Sequence, residues 1–90
     1  MGNTALVTGA SSGIGAELAR YHASKGGDVV LVARSEDKLN NLKSELESAH
    51  GIKATVLAAD LAKPDSAEKI FAATEAAGLQ IDILINNAGF

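Results

Sequence analysis

Four short apolar runs alternate with longer stretches in which apolar residues recur every three or four positions. The runs are Ala5–Val7, Val29–Ala33, Ala54–Ala58 and Ile81–Ile85. Short, β-branched and bounded by polar residues, they predict strands buried on both faces. Gly13–Lys25 predicts a helix stopped by Gly26-Gly27. A second helix opens after Ser35, a candidate cap, and repeats Leu39, Leu42, Leu46 and Ala49 on one face. A third runs from about Asp65 to Ala77, behind Pro64. Its expected buried side carries Ala67, Ile70, Phe71 and Thr74, and Gly78 ends it.

A βαβαβαβ order with connections of this length implies an α/β fold with a parallel sheet. Right-handed crossovers then fix the layout. The first three strands march one way, which puts the first two helices on one face. The step to the fourth strand crosses back over the first, which puts the third helix on the other face. The expected strand order is 3-2-1-4, a Rossmann-type sheet with its topological switch between strands one and four. Residues 1–90 make a single domain with no repeat or linker.

Composition narrows the possible partners. The chain is 47% hydrophobic and 21% charged, which suits a globular domain rather than a disordered one. A net charge of −3 without any basic cluster argues against nucleic acid or an anionic membrane surface as partner. No apolar run approaches the roughly 18 residues of a membrane span, and the N-terminus has no signal-peptide pattern. The absence of cysteine excludes disulfides and thiolate chemistry, and fits a cytoplasmic location. His22 and His50 lack the clustered ligands of a metal site.

The candidate chemistry lies where the first strand gives way to the first helix, in Thr8-Gly9-Ala10-Ser11-Ser12-Gly13-Ile14-Gly15. Gly9 lets the chain turn sharply off the strand. Gly13 leaves room for a phosphate oxygen, and Gly15 lets the helix lie close to the sheet. Free N–H groups and the positive end of the helix dipole then suit a pyrophosphate. The spacing is Gly-x-x-x-Gly-x-Gly, neither the common dinucleotide fingerprint nor a phosphate loop followed by Lys. The topology brings Asn86-Asn87-Ala88-Gly89 to the same crevice.

Three motifs in order, TGASSGIG, Ala59-Asp60-Leu61 and Asn86-Asn87-Ala88-Gly89, make the chain resemble the short-chain dehydrogenase/reductase family. The resemblance implies a dinucleotide held by Gly9, Ser11, Ser12, Gly13, Ile14, Gly15, Arg34, Asp60, Leu61, Asn87, Ala88 and Gly89. In relatives that prefer NAD an acid stands where this chain has Ala33. Arg34 follows, so the resemblance implies NADP(H) in preference to NAD, with the guanidinium on the 2′-phosphate. Ser11 and Ser12 can add hydroxyl bonds to that phosphate, although many NADP-using relatives carry a basic residue where Ser12 stands. By the same resemblance Asp60 accepts a hydrogen bond from the adenine amino group and Leu61 packs on the ring. Asn87, Ala88 and Gly89 border the adenosine ribose, and Asn86 braces the sheet. Each residue also has a plainer reading: a solvated Arg34 and Lys38, an Asp60 that caps a turn, an ordinary Asn/Gly turn.

Tyr21-x-x-x-Lys25 spells the family's catalytic signature in the wrong place. It falls in the last turns of the first helix, and Lys25 is roughly 15 Å along that helix from Gly15 at ~1.5 Å per residue. No catalytic residue is therefore assigned, and His22 beside it is expected to pack against the sheet. The family's catalytic Ser, Tyr, Lys and Asn follow the Asn-Asn-Ala-Gly motif, and this chain ends at Phe90. The expectation is a truncated N-terminal, cofactor-binding part of an oxidoreductase with a small-molecule carbonyl/alcohol substrate. It would be inactive alone and would self-associate through the exposed strand-four edge. The alternative is a free-standing, non-catalytic nucleotide-binding or interaction module.

Overall fold

The computed structural model describes residues 3–10, 13–59 and 66–86. Its elements are β1 (Ala5–Thr8), α1 (Gly13–Ser24), β2 (Val29–Ala33), α2 (Glu36–His50), β3 (Ala54–Ala58), α3 (Ser66–Ala76) and β4 (Ile83–Asn86). The four strands form one sheet in the order β3-β2-β1-β4, and every neighbouring pair is parallel. This is the Rossmann-type arrangement expected from the crossover rule.

Strand alternation sorts the apolar residues onto two faces. Val7, Val29, Leu31, Ala33 and Ala54 meet Ala19 and Ala23 of α1 and Leu39, Leu42 and Leu46 of α2. Leu6, Val30 and Val32 point the other way and meet Ile70 of α3. Leu31, Leu39 and Leu46 are fully buried, each worth about 1.5–3 kcal/mol over an exposed side chain. In α2 the repeat of buried leucines at 39, 42 and 46 reproduces the predicted face. Ala49, expected on that face, is exposed in the last turn.

Glycines end α1 and α3 as expected, and α2 as well. Gly26 adopts φ 85° and its N–H donates to Ala23 O at 2.9 Å, while Gly27 N–H reaches His22 O at 3.3 Å. This paired closure leaves few orphan carbonyls at the end of α1. Gly51 and Gly78 close α2 and α3 with φ 68° and 73°. Ser35 occupies the N-cap of α2, but its side chain makes no capping bond.

Three further details differ from the expectation. β4 starts at Ile83, which pairs with Ala5 and donates to Thr4 O at 3.2 Å, while Asp82 N–H donates to the same carbonyl at 2.9 Å one residue before the strand. Thr4 N–H in turn donates to Asp82 Oδ2 at 3.0 Å. Ile81 instead tucks against the α3 side of the core. Phe71 is 56% exposed, whereas Ile70 and Thr74 are buried. Residues 70 and 74 lie one above the other along a helix, but 71 is turned ~100° away, so α3 meets the sheet along a narrow stripe. The Ala67 side chain lies outside the described residues. His22 is half-buried and reaches the backbone before β1, with Nε2 2.8 Å from Asn3 O. An ideal Cβ on Gly27 would fall on this imidazole and close on Asn3 O as well, so the glycine there answers to crowding.

Candidate functional site

The C-terminal ends of the strands converge around Thr8. It pairs with Val32 on one side and Asn86 on the other, and it is buried. Its Oγ1 donates to Ile85 O at 3.4 Å and ties β1 to β4 where the topology reverses. The motif TGASSGIG contains Thr8 without pointing to this role. Its short polar side chain at the end of an apolar strand was the available signal.

Beyond Thr8 the chain leaves the sheet through Gly9 at φ 64°, a left-handed conformation that a side chain would strain. Ala10 N–H then donates to Val32 O at 3.1 Å, which pulls the loop across the end of β2. The neighbouring carbonyl, Ala33 O, accepts from Ala59 N–H at 2.9 Å. Two successive carbonyls of β2 therefore hold the glycine loop on one side and the segment after β3 on the other. Gly9, Arg34 and Ala59 gather at one edge with the end of β4.

Gly13 opens α1, and an ideal Cβ there would meet nothing within 4 Å. Packing within the described residues does not require a glycine at 13, and none of them fills the space beside it. Ile14 in the same turn is 69% exposed, and Gly15 is buried towards the sheet. The first-turn N–H groups have no intrahelical acceptors, and the dipole adds partial positive charge. Arg34 is exposed just past β2, and no described carboxylate pairs with it. The arrangement offers an anion a cationic side chain and a helix N-terminus at the same sheet edge. Ser11, Ser12, Asp60, Leu61, Asn87, Ala88 and Gly89 lie outside the described residues. The Asn86 backbone pairs with Thr8.

Tyr21 and Lys25 stand at the far end of α1. Lys25 Nζ sits 5.4 Å from the Tyr21 ring centroid, and both side chains are exposed. This is a surface cation–π contact remote from the glycine loop. Among the described residues no cluster of His, Asp and Glu could hold a metal ion, and no helix is long and apolar enough to cross a membrane.

A groove of about 220 Å³ runs from the glycine loop between α1 and α2, lined by Ala10, Ala16, Arg20, Lys38, Asn41, Leu42 and Glu45. Lys38 is exposed, as its sequence position suggests, and nothing in the sequence signals the groove, which depends on how two helices lie side by side. Arg20 anchors its far wall: Nε donates to Glu45 Oε2 at 2.7 Å and Nη1 to Glu17 Oε1 at 2.6 Å. Hydrogen bonding to Glu45 holds the guanidinium above its usual pKa, and the same contact holds the Glu45 carboxyl below the ordinary carboxylate value.

Comparison with known proteins places this edge in context. A profile described as short chain dehydrogenase matches residues 3–90. A very-long-chain 3-oxoacyl-CoA reductase of Candida glabrata is 48% identical over 90 residues, covering 98% of this chain and 25% of that protein. The L-sorbose reductase of Gluconobacter frateurii, solved with NADPH and L-sorbose, superposes with a TM-score of 0.92 at 36% identity, covering 99% of this chain and 34% of that one. A short-chain dehydrogenase of Sphingobium yanoikuyae in complex with NADPH gives 0.81 at 44% identity, covering 97% and 34%. The chain thus spans a quarter to a third of the length of the proteins it resembles.

Proposed function

The chain belongs to the short-chain dehydrogenase/reductase family, and on that premise we propose that its ninety residues form the NADP(H)-binding part of an oxidoreductase acting on a carbonyl/alcohol pair. The observation that carries the reading is the glycine loop itself. It leaves β1 through a left-handed Gly9, is tied to Val32 O, and delivers an open Gly13 at the start of α1 beside the switch point. The cradle suits a dinucleotide: a Cβ at 9 would be strained, and no described residue fills the space beside 13.

Gly9, Gly13, Ile14 and Gly15 would hold the pyrophosphate, with Ser11 and Ser12 adding hydroxyls. Arg34 would take the 2′-phosphate, where a guanidinium gives a forked pair of charge-assisted bonds. Asp60 and Leu61 would meet the adenine, and Asn87, Ala88 and Gly89 the ribose. The bound nicotinamide supplies the hydride. These residues bind and orient, and they present no acid or base to a substrate. NADPH in two superposable relatives supports a nicotinamide cofactor. The activity of the Candida relative, a very-long-chain 3-oxoacyl-CoA reductase, makes a 3-oxoacyl thioester the first carbonyl substrate to try.

The test is cofactor choice. NADPH should bind the chain more tightly than NADH in a fluorescence titration, and Arg34→Ala should remove ~1–3 kcal/mol of that difference. Equal affinity of the unsubstituted chain for the two cofactors would sink the NADP(H) assignment.

A further inference from the structure

The outer edge of β4 is complementary to itself. We propose that it pairs with the same edge of a second copy of this chain, antiparallel and centred on Leu84, so that two four-stranded sheets join into one. The inference does not depend on the cofactor reading.

The backbone sets the geometry. Ala5 pairs with Ile83 and Val7 with Ile85, and Ile83 N–H donates to Thr4 O at 3.2 Å. Backbone groups alternate in direction along a strand, so Ile83 and Ile85 turn theirs to β1. Leu84 and Asn86 turn their N–H and C=O to the other side, where no described strand lies. Natural edges are blunted by a charge, a proline or a bulge. Ile83–Asn86 has none of these and keeps an unbroken register with β1.

Side chains choose among the registers such an edge allows. A two-fold axis through Leu84 sets Leu84 opposite Leu84 of the second copy, Ile83 opposite Ile85 and Asp82 opposite Asn86. Apolar residues face apolar residues, and no two carboxylates are opposed. With the axis one residue on, at Ile85, Leu84 would face Asn86. With it one residue back, at Ile83, Leu84 would face Asp82. Only the central register matches the side chains throughout.

The flanks give the pairing its apolar surface. Leu84 is exposed on the α3 face although Leu6, its neighbour in β1, is buried. Ile83 is exposed on the α1 face, together with Ile14 and Leu18 of α1. Ala16 and Arg20 turn to α2, which packs over β2 and β3. At ~100° per residue, Ile14 and Leu18 occupy the opposite flank of α1, on the β4 side. One short strand edge with these few side chains is a small interface beside the ~800 Å² per partner of a stable complex. The association is therefore weak and concentration-dependent, and its specificity comes from register.

The chain contains no cysteine, so single cysteine variants of the full chain read the register directly. Facing Cα atoms in a hydrogen-bonded antiparallel pair stand ~5.5 Å apart, a span that a disulfide bridges. The variants are oxidised in glutathione buffer at concentrations where sedimentation equilibrium shows the unsubstituted chain to be dimeric. Leu84→Cys should form a disulfide-linked dimer at least tenfold faster than Ser44→Cys, an exposed position on α2. An equimolar mixture of Ile83→Cys and Ile85→Cys chains should give the mixed dimer in at least fivefold excess over either homodimer. In the unsubstituted chain the Leu84 amide should exchange at least tenfold more slowly in concentrated than in dilute solution, a measurement that stands even if a variant fails to fold. Equal oxidation at 84 and 44 would show apolar association without register and overturn the proposal. An excess of homodimers from Ile83→Cys or Ile85→Cys would overturn it in favour of a shifted or parallel pairing. A chain that stays monomeric, or a Leu84 amide indifferent to concentration, would leave the edge to a strand of a different polypeptide and equally overturn it.

Discussion

The two faces of the sheet are built from the same kind of residue and sealed to different degrees. On one, Val7, Leu31 and Ala54 lie under two helices that also touch each other through Arg20 and Glu45. On the other, Leu6, Val30 and Val32 lie under α3, which contributes Ile70 and Thr74 and leaves Phe71 outside. The difference grows towards β4, where Leu84 is 61% exposed although it pairs with the buried Leu6. An all-apolar strand therefore shows that a position is suited to burial on both faces. Whether it is buried depends on which helices lie beside it.

The largest test of this contrast is Leu31→Ala. A fully buried leucine between sheet and helices should cost ~2–5 kcal/mol in urea unfolding, transfer and cavity terms together. Ile70→Ala on the other face should cost about 2 kcal/mol, near the lower end of the same range, because the open surroundings of α3 can relax into the gap. A loss at Ile70 equal to that at Leu31 would erase the distinction between the faces.

Glu45→Gln probes the outer seam of the better-sealed face. Arg20 depresses the Glu45 pKa, so its contribution is present above the unfolded carboxylate value, ~4.3, and is lost as pH falls through the folded value. Both side chains are half-exposed, and solvent screening limits the effect to ~0.5 kcal/mol, smaller still in high salt. A stability difference that persists at pH 2 would show that the substitution acts through packing. The smallest change in stability is expected for Leu84→Lys, within ~0.5 kcal/mol. Its value is in sedimentation. We propose that the chain self-associates through β4 and the apolar surface beside it, and a charge at 84 should shift the chain towards monomer. An unsubstituted chain that sediments as a monomer at high concentration would remove that proposal.

Much of the architecture was legible because few topologies satisfy it. Val29–Ala33 and Ala54–Ala58 announce themselves as strands, and right-handed crossovers leave a single strand order. Legibility failed where burial depends on neighbours rather than on period. Phe71 and Ala49 fit a helical face in sequence, yet the sheet reaches neither of them. β4 starts two residues later than the apolar run, because Asp82 is tied to Thr4 through both its N–H and its carboxylate ahead of the first register pair, Ala5 with Ile83. At the candidate site, glycine spacing singled out Gly9 and Gly13, and the family resemblance singled out Arg34. The groove that Lys38 lines was not legible, since its walls come from two helices.

The clasp between β1 and β4 also sets a timetable. Ala5 meets Val29 across one helix, whereas Thr4 and Asp82 stand 78 positions apart. Closing the longer loop costs more chain entropy. During synthesis β1, α1 and β2 can assemble while the distal segment is still being made, so the glycine loop takes its shape against β2 first. The crevice at the switch point closes only when β4 arrives. Pulse-labelled hydrogen exchange should find the Ala10 amide protected earlier than the amides of Asp82 and Ile83. A nascent chain would then carry a preformed loop for the phosphates before it has a slot for the rest of the nucleotide.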